Sequence, residues 1–181
     1  MPAQARTARA RARVTPATAR GELDRHEQYK GQFDYVLSLE NIEHLLDDRK
    51  LMRDLAACLK PGGRLVMSSP NKDYHAITPI ELGPFDKTEY RGWHVRRGYT
   101  EQMLRELAEQ AGLRVERIGY CSGWLSQMLT WVLRQGGMLG WAVTFPLRIL
   151  PPLLDPLLTR LFRYRGFSIT MVAYKPRYPV G

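Results

Sequence analysis

Cysteine is nearly absent: Cys58 and Cys121 are the only two in 181 residues. That excludes a disulfide framework and a cysteine-rich zinc site, and it fits a reducing, cytoplasmic setting. Cys58 falls within a helical pattern and reads as a small core residue, not a nucleophile. No apolar segment opens the chain, so no secretory signal is read there. Acid is missing from residues 1–20, "MPAQARTARARARVTPATAR", which hold five arginines. They take five of the nine net positive charges and leave +4 for the other 161 residues. The basic excess is therefore a tail and its neighbours. This argues against nucleic-acid binding, because no basic stretch is interleaved with aromatics or set on a recognition helix. An uninterrupted apolar run of about 20 residues, the length a spanning helix needs, is also missing.

What remains suits one domain with an ordinary core, at 44% hydrophobic and 25% charged residues. Residues 1–20 fit a transit peptide, a disordered extension or a mis-started reading frame; the last two are favoured jointly. "FDYVLSL", Phe33 to Leu39, is a β-rich run of strand length. From Ile42 to Leu59 the apolar residues Leu51, Met52, Leu55, Ala56 and Leu59 mark one face of a helix. "KPGG", Lys60 to Gly63, ends it, and "RLVMSS" follows as a second buried strand. A long loop from Pro70 to Tyr99 comes next, and loops of that size are usually functional. Thr100 caps a helix carrying Met103, Leu104, Leu107, Ala108 and Ala111, which Gly112 ends. "LRVERIGY" and "GFSITMVAYKP" (Gly166 to Pro176) read as the third and fourth strands. The rhythm is that of an α/β protein with a mostly parallel sheet.

Before the last strand lies an apolar insert, Trp124 to Phe162. Between Cys121 and Arg165 there are five arginines against one acid, Asp155. Apolar faces with Trp and Arg describe helices lying in a membrane interface. A helical cap over an apolar substrate pocket and a dimer surface have the same pattern, and all three readings stay open.

"FDYVLSLENIEHLLDDRKLMRDLAACLKPGGRLVMSSPN" resembles the second half of a class I S-adenosylmethionine-dependent methyltransferase domain. The marks are Phe33-Asp34 opening a strand, Glu43-His44 opening a helix, Leu59-Lys60-Pro61-Gly62-Gly63, and Ser69-Pro70-Asn71. "HVRRGYTEQMLRELAEQAGLRVERIGY" fits as well, so the resemblance covers about residues 21–120 and, more weakly, 166–176. It implies a Rossmann-like sheet whose first strands and Gly-rich cofactor loop are missing here, since no G-x-G precedes Phe33. The strand at Phe33–Leu39 would then be an exposed edge open to self-association, as would the apolar insert. Residues 21–181 read as a partial methyltransferase domain that includes the insert at 124–162. A non-catalytic remnant acting as a membrane-surface or partner-binding module is the competing reading.

The resemblance also assigns candidate site residues. Glu22 of "GELD" would accept a hydrogen bond from the adenine amino group, and Leu39 and Glu40 would line the methyl-donor pocket. Glu40, Glu43 and His44 are spaced so that on a helix they share one face. That mixed oxygen and nitrogen set suits Mg²⁺ or another divalent ion. Small-RNA 2′-O-methyltransferases and ubiquinone-pathway O-methyltransferases use such an E-x-x-E-H pattern, and His94 would supply the further imidazole of the former. His44 or His94 as a metal-free general base is the second reading, and a structural role for the helix-opening pair is the third. Tyr90, Trp93 and Arg96 would cover the acceptor site or form a surface lid. The acceptor implied is a small or lipid-linked molecule, and the setting is cytoplasmic, peripheral on a membrane if the insert lies in the interface.

Overall fold

The computed structural model describes residues 29–75, 77 and 95–177. Glu22, Tyr90, Trp93, His94 and residues 1–20 lie outside the described residues. Four strands form one sheet: β1 (Phe33–Leu39), β2 (Leu59–Pro70), β3 (Arg114–Cys121) and β4 (Ser168–Tyr174), in the order β1-β2-β4-β3. β1 and β2 are parallel, while β4 runs antiparallel to both β2 and β3. Three strands thus point one way, and their carboxyl ends gather on one side of the sheet. In open α/β sheets that side is where ligands bind.

The first helical region is shorter than its periodicity suggests. A single 3-10 turn, Ile42–His44, is followed by extended backbone at Leu45 (φ −106°, ψ 134°), and α1 begins only at Asp48, running to Cys58. The cause is local. Asp47 accepts a hydrogen bond from the Lys50 amide at 2.8 Å, capping the helix there and holding Asp47 out of helical geometry. β2 also starts earlier than expected. Leu59 pairs with Phe33 and Arg64 with Tyr35, so Lys60–Gly63 bulge out of the ladder instead of preceding it. Gly62 adopts φ +84°, which favours glycine, and a Cβ on Gly63 would press to 3.0 Å on the Phe33 carbonyl, a contact that only a small shift of backbone would relieve.

α2 (Glu101–Gln110) starts as its sequence suggests, with the Thr100 hydroxyl accepting from the Met103 amide at 3.2 Å. α1 and α2 bury Leu51, Met52, Leu104 and Leu107 against Leu65, Met67, Ile169 and Met171. These four strand residues alternate with Val66, Ser68, Thr170 and Val172, which point to the other face. On that other face Tyr35, Leu37 and Leu39 are exposed. The insert forms α3 (Trp124–Thr144), a short 3-10 turn (Pro146–Ile149) and α4 (Leu150–Leu161), with a break inside α3 at Gly137. No single helix among the described residues is long and apolar enough to cross a membrane.

Candidate functional site

The carboxyl ends of β1 and β2 carry the first cluster. Glu40 takes a left-handed backbone (φ 46°), which turns the chain off the end of β1. Its amide donates to the Ser68 carbonyl at 3.0 Å, and the Ser68 hydroxyl donates to Glu40 Oε1 at 2.8 Å. Leu39 and Glu40 remain exposed at the strand end. That position fits a cofactor lying outside the strand ends, as the resemblance implies for these two residues.

Glu43 lies deeper, 1% exposed, and its Oε2 has no hydrogen-bond partner. Desolvation by burial lifts its carboxyl pKa from the ordinary 4.5 to about 7, and the nearby charge of Glu40 pushes the same way. Its own backbone geometry, the His44 imidazole and Ser69 pull down less strongly. His44 Nε2 stands 3.7 Å from Glu43 Oε1 and is partly exposed.

The shared helical face expected for Glu40, Glu43 and His44 does not form. A left-handed residue and a 3-10 turn occupy these positions, so the i, i+3, i+4 geometry of an α-helix does not apply. Among the described residues no group of three His, Cys, Asp or Glu side chains is placed to hold a metal ion. Glu40 engages Ser68, and only Glu43 and His44 adjoin. The described donors therefore do not fit a divalent ion, and no chemistry is routed through one here.

A strap holds this turn in place. The Val95 amide donates to the Glu43 carbonyl at 2.8 Å. Arg96 donates to the Asp48 carboxylate and to the carbonyls of Leu45 and Leu46, at 3.2 and 3.0 Å. The Tyr99 hydroxyl donates to Asp48 Oδ2 at 3.0 Å, beneath the Arg96 guanidinium. Arg96 is thus a clamp between this strap and the start of α1, not a cover over an acceptor. Desolvation first, with Asp48 adding to it, keeps the Tyr99 hydroxyl protonated far above neutrality.

A second feature lies at the same end of the sheet, where the sequence left open a helical cap over a pocket. A cavity of about 420 Å³ opens between the end of β3 and the base of the insert, lined by Cys121, Ser122, Ser126, Pro152, Asp155 and Pro156 among others. Asp155 Oδ1 accepts the Leu125 amide at 2.7 Å, and Oδ2 accepts the Ser126 amide at 3.2 Å and its hydroxyl. This carboxylate from α4 caps α3, whose own N-cap is Gly123, with no side chain to do it. The available signal was the solitary acid in an apolar, arginine-bearing stretch. Desolvation raises the Cys121 thiol pKa and the charge of Glu40 acts in the same sense, so the cavity wall and the Glu40 cluster share one electrostatic neighbourhood.

Comparison with known proteins agrees with this architecture. A family model described as a methyltransferase domain matches residues 4–118. The chain is 40% identical over 52 residues to the ubiquinone biosynthesis O-methyltransferase of Marinobacter nauticus, covering 29% of this chain and 22% of that protein. With the enzyme of the same name from Coxiella burnetii it is 36% identical over 91 residues, covering 46% and 37%. The matches thus span well under half of these relatives' length. Among solved structures, an S-adenosylmethionine-dependent methyltransferase from Mesorhizobium loti superposes with a TM-score of 0.50 at 18% identity, covering 81% of this chain and 64% of that one. Phosphoethanolamine N-methyltransferase 2 of Haemonchus contortus, in complex with S-adenosyl-L-methionine, gives 0.50 at 18%, covering 81% and 34%. These likenesses speak to the fold alone. The family match over residues 4–118 leads to one conclusion, with which the strand order agrees: the chain belongs to the methyltransferase-domain family, and its fold is that of S-adenosylmethionine-dependent methyltransferases of known structure.

Proposed function

We infer that the chain takes part in S-adenosylmethionine-dependent O-methylation of a small or lipid-linked acceptor. The observation that carries this reading is the acid–imidazole pair at the carboxyl ends of the strands, Glu43 Oε1 with His44 Nε2 at 3.7 Å. The relatives named as O-methyltransferases support the choice of a hydroxyl acceptor.

When bound, S-adenosylmethionine supplies a methyl group on a sulfonium sulfur, open to in-line attack by an oxygen nucleophile. Leu39 and Glu40 would hold it at the strand ends, and Glu22 would, by the resemblance, accept from its adenine amino group. His44 takes the acceptor hydroxyl proton as general base, with His94 the other imidazole proposed for that role. Glu43, poised near neutrality, stabilises the imidazolium that forms. The cavity beside Cys121, one wall of which is α4, receives the body of the acceptor. Alignment is the main contribution asked of the protein, because the displacement needs no covalent enzyme intermediate.

A second reading, a non-catalytic binding module, is favoured by one observation: the outer edge of β1 pairs with no strand among the described residues. Titration calorimetry with S-adenosylmethionine, with and without Mg²⁺, separates the two. Saturable binding, indifferent to Mg²⁺, is expected. A folded sample that takes up no S-adenosylmethionine would sink the enzyme reading for this chain.

A further inference from the structure

The insert exposes far more apolar surface than its sequence pattern requires. α3 breaks at Gly137 (φ 50°, ψ −126°), and its second arm returns so closely that a Cβ on Gly140 would sit 2.6 Å from the Val132 carbonyl oxygen. The result is a helical hairpin with Met138, 90% exposed, and Leu139 at its tip. Trp141 and Phe145 follow, their exposed rings 4.9 Å apart. α4 and the turn before it then leave at 74° to α3. Along them Ile149, Leu153, Leu157 and Leu161 recur at every fourth residue, each 64–69% exposed. Four such residues at that spacing form one unpartnered helix face. Apolar surface of this extent on a soluble chain marks an interaction site.

Charge selects the occupant. Arg134, Arg148, Arg160 and Arg163 are exposed, as is Arg165, 3.6 Å from the Asp73 carboxylate, whereas Asp155, the one acid of the region, is buried as the cap of α3. A second copy would set this arginine-rich face against itself, at a repulsive cost. A spanning arrangement is disfavoured by the 74° bend and by Arg134 and Arg148 within the apolar stretch. A surface of apolar interior and anionic headgroups complements both features.

We propose that the α3 hairpin and α4 together dock in the interfacial layer of an anionic lipid bilayer. Met138, Leu139, Trp141 and the α4 stripe enter the acyl boundary, and the arginines meet lipid phosphates. Pro152 and Pro156, which help wall the cavity, lie on the same helix about a third of a turn from the stripe at 3.6 residues per turn, and Asp155 closes the wall from the buried side. Docking therefore brings the cavity to the headgroup layer, where a lipid-linked molecule can reach it.

The test is flotation of the whole chain, without S-adenosylmethionine, on phosphatidylcholine vesicles with and without about one third phosphatidylglycerol. Binding is expected to be roughly ten-fold higher on the anionic vesicles and to fall as salt rises toward about 0.5 M. Leu153→Ser with Leu157→Ser, and separately Arg148→Gln with Arg160→Gln, are each expected to lower it about five-fold or more. These side chains are exposed, so circular dichroism and the melting temperature should stay unchanged. Absence of vesicle binding, or binding that ignores lipid charge and both double substitutions, overturns the proposal. So does a lipid-free dimer that the leucine substitutions dissociate. No cofactor is present in this experiment, so its failure and a failure of the methyl-transfer reading are separate results.

Discussion

Ser68 and Glu40 are joined twice across the ends of neighbouring parallel strands, hydroxyl to carboxylate at 2.8 Å and amide to carbonyl at 3.0 Å. The pair fixes a left-handed residue where the proposed cofactor crevice begins. A left-handed backbone costs a non-glycine residue about 1–2 kcal/mol. Glu40→Gly relieves that strain while removing the carboxylate, and Glu40→Ala removes the carboxylate and keeps the strain. Thermal melts should place the glycine variant within about 1 kcal/mol of the parent and the alanine variant below it. Calorimetry should find both weaker for S-adenosylmethionine, by about ten-fold, the order expected for loss of one hydrogen bond to a charged group.

Glu43 makes stability depend on pH. Its folded pKa, about 7, lies above the ordinary 4.5 because burial disfavours the charge. Between those values the folded chain holds a proton that the unfolded chain has released, so stability falls as pH rises through this window and levels off above it. Glu43→Gln, a neutral shape mimic, should flatten the slope and melt higher than the parent at alkaline pH. Melting temperatures taken across the window check it; a parallel slope in the variant would assign the effect elsewhere.

The clamp at Arg96 depends on the shape of a guanidinium. It meets Asp48 and two carbonyls at once, which the point charge of a lysine cannot do. Arg96→Lys should cost about 2 kcal/mol in a urea melt, and Tyr99→Phe, which loses one bond to Asp48, about 1 kcal/mol.

Gly98 is constrained twice over. Its φ is +148°, and an added Cβ would fall 2.2 Å from the Pro70 carbonyl oxygen, which also accepts the Tyr99 amide. Gly98→Ala should destabilise by about 3 kcal/mol or more, since backbone must move on both sides. Hydrogen exchange should report the loss first at Tyr99 and Lys72, whose amides span this crossing.

Local signals in the sequence carried far. β1 has the bounds its β-rich run suggested, and α2 starts at the threonine that caps it, because strand composition and capping act within a few residues. The bulge at Lys60–Gly63 was read as a loop, since its reason is pairing with Phe33, more than twenty residues upstream. The grouping of Glu40, Glu43 and His44 failed for a different cause: the spacing argument presumes a helix, and Asp47 delays that helix by capping it. Ser68 carries no local mark, and Asp155 only that of a solitary acid in an apolar stretch. Each acts through a partner about thirty residues away, Glu40 and Leu125–Ser126 respectively.

β4 occupies the middle of the sheet although it comes last among the strands. On a ribosome, β2 and β3 are therefore made long before the strand that joins them, and each waits with an unsatisfied edge. The helices α3 and α4 are synthesised in that interval. Their leucine stripe reaches the exit tunnel before the body it decorates can close, so any nascent-chain chaperone or nearby bilayer meets the stripe ahead of the finished sheet.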